Sequence, residues 1–197
     1  MHFLLKLIAP LCLIAAMEAA QADTRYDIES PETPGEHILS LTLPDNVGWR
    51  RMMSSGTEDL ARFLSEDYPF LNIEVRSLPL KKRLDTEKLP NPVPANAIHQ
   101  SIVMEQLHAY YADQYKNVSP LQKITLNDRK ALRLHAKGSS ITPMRTAHST
   151  LDVLVFLHGQ RLIVCEFLDE AVLVNGRLIR PSPPNAYQSI LRSIELH

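Results

Sequence analysis

The 197-residue chain is poor in the residues that most often carry chemistry. Cysteine occurs twice, at positions 12 and 165. Cys12 lies in an N-terminal apolar run, so export with cleavage would leave Cys165 alone, with no intramolecular disulfide possible. Six glycines are scattered, and none belongs to a phosphate-cradling loop. The signatures H-E-x-x-H, G-x-S-x-G and C-x-x-C are absent. Histidines at 37, 99, 108, 135, 148, 158 and 197 include no pair three to five residues apart, which excludes a helical or finger-type metal pair. Charge is balanced at 21 basic against 22 acidic residues, so nothing attracts nucleic acid or an anionic membrane as a whole.

What is present begins with the N-terminus, MHFLLKLIAPLCLIAAMEAAQAD. Lys6 precedes an apolar run over 7–17, followed by small residues at Ala20 and Ala22. The run is shorter than the ~20 residues of a membrane span, and the A-x-A spacing suits signal peptidase. We therefore expect residues 1–22 to be a signal peptide, cleaved between Ala22 and Asp23, and the mature chain to reach the periplasm. Leu11 before Cys12 argues against lipid attachment. No later stretch is apolar enough to span a bilayer. Residues 23–36, with Pro31, Pro34 and Gly35, read as a flexible arm, and 37–197 as a single domain.

Within that domain HILSLTLP reads as a strand stopped by Pro44. Ser55 and Glu58 suggest a capping box opening a short helix with Leu60, Phe63 and Leu64. LNIEVR alternates Leu71, Ile73 and Val75 against Asn72, Glu74 and Arg76, a half-exposed strand. Residues 79–94 show no core pattern. A long helix is predicted over about 96–117 from Met104, Leu107, Tyr111, Tyr115 and Val118. The pattern then changes to period two through LQKITLN, KALRLHA, STLDVLVFLH and RLIVCEFLDE, with turns at Asn127-Asp128, Gly159-Gln160 and Asn175-Gly176. PPNAYQSILRSIEL closes with Tyr187, Ile190, Leu191 and Ile194 on one helical face.

The stretch FLHGQRLIVCEFLDE tests whether Cys165 and His158 form a reactive pair. A turn at Gly159-Gln160 sets His158 opposite Arg161 and Leu154 opposite Cys165. His158 is then about 13 Å from the cysteine along the ladder, far beyond the roughly 3 Å a Cys-His dyad requires. In this register Leu154, Phe156, Ile163, Cys165 and Phe167 share one face, and Leu151, Val153, Val155, Leu157, Leu162, Val164 and Leu168 the other. Two apolar faces mean a sheet covered on both sides. With helices as the expected covers, the predicted fold class is α+β, an α/β/α sandwich around a central antiparallel sheet.

Leu43, Pro44 and Trp49 at the strand-turn entry, LNDRKALRLHA running into the long strands, and ILRSI in the closing helix resemble the PsbP-like fold shared with the DcrB proteins, over about 37–196. The resemblance implies an α/β/α sandwich, export in many bacterial members, and accessory, assembly or binding roles without catalysis. The basic, proline-rich 79–94 segment departs from it.

Together these features point to an exported, non-catalytic protein whose partner is another protein, one version being an immunity protein against a secretion-system toxin. No enzyme activity, cofactor or metal is expected. His135, His148 and Asp152 would make a metal set only by meeting across the 137–147 loop; the plainer reading is rim histidines on strands. The interface is expected on two loops, through Lys81, Lys82 and Arg83 in 78–95 and Lys137 and Arg145 in 137–147. A rival reading is a small-ligand or lipid-binding envelope protein, with a pocket between sheet and helix lined by Met104, Tyr110 and Tyr111. A hydrolase with an undetected site is the third.

Overall fold

Two antiparallel sheets form, one large and one small. The structure, a computed structural model, describes residues 23–52, 58–68, 70–141, 145–179 and 186–197, without the side chains of 140, 141, 145, 186 and 187. The expected signal peptide, Ala22 included, lies outside the described residues.

In chain order the strands are β1 (Thr24–Glu29), β2 (His37–Leu43), β3 (Trp49–Met52), β4 (Asp59–Ser65) and β5 (Leu71–Pro79). Helix α1 (Ser101–Gln114) follows, then β6 (Asn117–Val118), β7 (Gln122–Leu126), β8 (Arg129–Ile141), β9 (Arg145–His158), β10 (Arg161–Val174) and β11 (Arg177–Ile179). Helix α2 (Ala186–Ser193) and β12 (Glu195–Leu196) close the chain. The large sheet runs β3-β4-β5-β10-β9-β8-β6, with β7 also on β8 and β11 also on β10. The small sheet is β1-β2-β12.

The central hairpin has the predicted register: His158 faces Arg161 and Leu154 faces Cys165. Its turn uses Gly159 at φ +55, a left-handed conformation that glycine adopts without a Cβ clash. The Asn175-Gly176 turn likewise has both residues at positive φ, the type I′ geometry that joins β10 to β11. Both faces of β9 and β10 are buried as expected. Leu151, Val153, Val155, Leu157, Leu162 and Val164 pack in one cluster, and Leu154, Phe156, Ile163, Cys165 and Phe167 in the other.

The covers overturn the expected α/β/α sandwich. The first face lies under α1 and the segment before it, where Leu80, Leu84, Leu89, Val93, Ala97 and Ile98 are buried. The second lies mainly under the small sheet, through Ile28, Ile38, Leu39, Leu41, Leu43 and Leu196, with Ile190 and Ile194 beside them. At eight residues α2 is only about 12 Å long, too short to close that face, so strands complete it. The protein is thus mostly antiparallel β, with two α-helices among the described residues, and not a helix-sheet-helix sandwich.

Four local expectations change for related reasons. The residues read as a flexible arm contain β1, whose Ile28 enters the core. The helix expected after Ser55 is β4, in which Phe63 pairs with Ile73 and period-two burial of Ala61, Phe63 and Ser65 outweighs the capping signal. Segment 79–94 is not coreless: its apolar residues are spaced for short 3-10 turns pressed on the sheet. The predicted long helix divides into a 3-10 turn at Ala95–His99 and α1.

Candidate functional site

Alternation along β8 sorts its residues cleanly. Leu132, Leu134 and Ala136 point into the core, so Arg133, His135 and Lys137 point to the opposite face. Directly across the ladder from His135 stands Asp152 of β9. It shares its side of the strand with Leu154 and Phe156 and is only 2% exposed. A carboxylate buried to this degree requires partners for both oxygens. Arg133 Nη2 donates to Oδ1 at 3.0 Å, and His135 Nδ1 lies 3.1 Å from Oδ2. The carboxylate therefore places the imidazole proton on Nδ1 and leaves Nε2 as the remaining polar atom of the ring.

These groups line a cleft of about 300 Å³, walled by Ser119 and Gln122 on the β6–β7 side and by Gln188 of α2 on the other. A second hollow of about 200 Å³, between Arg133, Gln188, Leu191 and Arg192, adjoins it. Further along β8, Lys116, Lys137, Ser139, His148 and Thr150 border another of about 330 Å³. Lys116, Lys137 and Arg192 make no ion pair with a described residue, so their charge is available to a ligand.

Ser119, His135 and Asp152 have the composition of a hydrolytic triad but not its geometry. Ser119 Oγ accepts the backbone N–H of His135 at 2.9 Å and donates to the Pro120 carbonyl at 3.3 Å. It serves strand pairing, together with its own N–H on the His135 carbonyl at 2.8 Å. A nucleophile would need the imidazole as its base. A second grouping, on the small sheet, fails differently. Ser40 Oγ lies 2.6 Å from His197 Nε2, but it donates to Asp27 at 2.5 Å and accepts from Arg25 Nη2 at 2.9 Å. Its proton is committed to the carboxylate, Arg25 draws on its lone pairs, and the residue is buried. This network, extended by the Arg25–Glu195 pair at 2.9 Å, ties β1 and β12 across β2.

The metal set does not assemble. His135 meets Asp152, but His148 is four residues along β9, about 13 Å away, and no group of three ligands occurs among the described residues. Cys165 is fully buried, and that burial, with Glu166 next to it, pushes its thiol well above the ordinary range. Between α1 and the sheet, Val103, Leu107 and Tyr111 are buried in the core where a pocket around Tyr110, Tyr111 and Met104 was expected. Met104 borders instead a shallow outer hollow with His108, Ala109, Pro120 and Leu121.

The expected interface cations have separate surroundings. Lys82 Nζ pairs with Glu58 at 2.6 Å, and the Arg83 guanidinium lies 3.9 Å over the Tyr110 ring. Lys81 is exposed beside a hollow bounded by Pro79, Pro90 and Val93. Segment 137–147 is largely strand, with β8 running to Ile141 and β9 starting at Arg145. Lys137 stands in the cleft region, Arg145 opposite Val174 with its side chain outside the described residues, and Asp23 is exposed. Sequence reasoning missed Arg133, Gln188 and Arg192. The signal available was Asp152, a lone charge inside the apolar run of LDVLVFL, two residues from Leu154 on the same face.

No family model matches the sequence, and no curated protein matches it significantly. Among solved structures, the chain is similar to the cyanobacterial PsbP (CyanoP) of Synechocystis sp. PCC 6803, at 12% identity over 96% of this chain and 100% of that one, with a TM-score of 0.49. It is also similar to LpqN of Mycobacterium tuberculosis, described as involved in cell envelope biogenesis, at 15% identity over 95% and 99% of the two chains and a TM-score of 0.44. A protein of Bacteroides thetaiotaomicron VPI-5482 matches 88% of this chain at 12% identity and a TM-score of 0.43; the chain spans about half, 48%, of that protein's length. A PsbP is thus among the structures this chain resembles, and the likeness is one of fold alone.

Proposed function

We propose that this is a non-catalytic binding protein of the cell envelope, and that its partner is another protein presenting an acidic face to the β8 cleft. The observation that carries the reading is Asp152. Burying a carboxylate costs several kcal/mol before compensation, a cost a purely structural position on β9 avoids with an apolar residue. Here both carboxylate oxygens hold donors at the edge of a polar cleft. Such pre-set donors lose little rotamer freedom when a ligand carboxylate arrives. One form of this role is neutralisation of an incoming secretion-system toxin.

The test is site-specific photo-crosslinking in the producing cell. A benzophenone side chain at Ser139, beside Lys137 in the cleft region, should give a discrete protein adduct. The same probe at Arg177 on β11 should not. Charge reversal of Lys137 and Arg192 together should abolish the adduct. An adduct insensitive to that reversal, or equal labelling from both positions, would overturn the reading.

A further inference from the structure

The basic side chains of the cleft are evenly placed. Arg133, His135 and Lys137 occupy alternate positions of one strand, so their Cα atoms recur every ~6.6–7 Å over about 13 Å. That interval belongs to any extended chain, whose alternate side chains also point one way. The floor is β8 and β9: the cleft at Arg133 and His135 lies between α2, with Gln188 and Arg192, and Ser119 and Gln122, and the next hollow along β8, at Lys137, is bordered by Lys116 and Asn117. The acidic groups on this face are already engaged: Asp152 by Arg133 and His135, and Asp169, opposite Thr150, by another group of the protein. Among the described residues, a ligand's negative charge therefore meets Lys137, Lys116 and Arg192 without an ion-pair partner and without a competing free carboxylate on the floor.

We propose that the groove takes an extended acidic segment of a protein, whose alternate side chains run along Arg133, His135 and Lys137, with carboxylates four residues apart on Arg133 and Lys137. This rests on the acidic-partner reading above and adds the partner's local conformation and charge spacing. A helix is a poor occupant. On a helix, residues four apart lie only ~6 Å from one another and residues two apart face different ways, so its carboxylates cannot follow a strand's spacing. An extended strand fits, and the side-chain amides of Gln122, Gln188 and Asn117 supply donors and acceptors for its backbone.

The experiment compares two capped nonapeptides of identical composition, three glutamates and six threonines, by fluorescence anisotropy at low ionic strength. One carries glutamate at every second residue, the other at every third. The alternating peptide should bind about tenfold more tightly, the equivalent of one well-placed charged contact. Lys137→Gln and Arg192→Gln, both at exposed positions without an ion-pair partner among the described residues, should each weaken it several-fold and leave the thermal midpoint unchanged. Equal affinity for the two peptides, with both variants weakening both, would overturn the spacing and leave an acidic partner in place. Binding of neither peptide, or binding indifferent to both substitutions, would overturn the groove as an acidic site altogether.

Discussion

Tyr111 donates its hydroxyl proton to Glu166 Oε1 at 2.8 Å, while Arg76 holds the other carboxylate oxygen. This is how a charged residue in mid-β10 survives beneath α1: the helix supplies a neutral donor and β5 the counter-charge. Burial, reinforced by the neighbouring Glu166 carboxylate, keeps the phenol well above its ordinary value. Tyr111→Phe removes one bond to a buried charge and should lower stability by about 1–3 kcal/mol, measured as a fall in the urea midpoint without a change in slope. A midpoint equal to that of the wild type would show that Glu166 is satisfied by Arg76 alone.

Cys165 should resist a thiol reagent in the native protein and react once urea unfolds it. Cys165→Ser places a hydroxyl among Val75, Leu154 and Phe167, with a loss of about 1–3 kcal/mol. Labelling of the native thiol at the rate of a free thiol would refute the closed second face.

Asp27 should contribute to acid unfolding. The Ser40 hydroxyl, then Arg25, hold its carboxyl below the ordinary value. A carboxyl depressed in the folded state stabilises fully above its unfolded pKa of about 3.9, and loses that contribution as pH falls through the lower folded value. Asp27→Asn should therefore destabilise at neutral pH and flatten the stability profile below about pH 4. Parallel profiles for the two proteins across that window would exclude the role.

How much of this was legible in the sequence depended on whether local spacing or distant contacts decided each element. The β9–β10 register was legible because Gly159 marks the turn and both parities of RLIVCEFL are apolar. The two turns at Asn127 and Asn175 were legible for the same reason, since asparagine tolerates positive φ. The cover was not. HILSLTL reads as a strand whatever sheet it joins, and its partner β12 arrives at Glu195, far along the chain. Of the cleft, His135 and Asp152 were singled out as possible metal ligands, and Lys137 for a loop that is strand. Arg133 and Arg192 come together only because α2 returns beside β8, a juxtaposition that no local spacing records.

Charge reversal should rank the two basic regions. Lys82 is held by Glu58, and Arg83 by the Tyr110 ring, whereas Lys137 and Arg192 have no ion-pair partner among the described residues. Reversing Lys137 and Arg192 should slow association with the partner more than reversing Lys81, Lys82 and Arg83 together, and added salt should narrow the gap. A larger effect from the 81–83 set would move the interface to the loop beside α1.

The Arg25–Glu195 pair and the β2–β12 ladder also set an order of events. They join residues 170 and about 155 positions apart, and until they form the cover of the second apolar face lacks Leu196. An emerging chain can lay β1 and β2 over Phe156, Ile163 and Phe167, but that cover lacks its third strand until residues 195 and 196 reach β2. Closure of this face therefore waits on residues 190 to 196, and during the interval before it the chain depends on being shielded from its own kind.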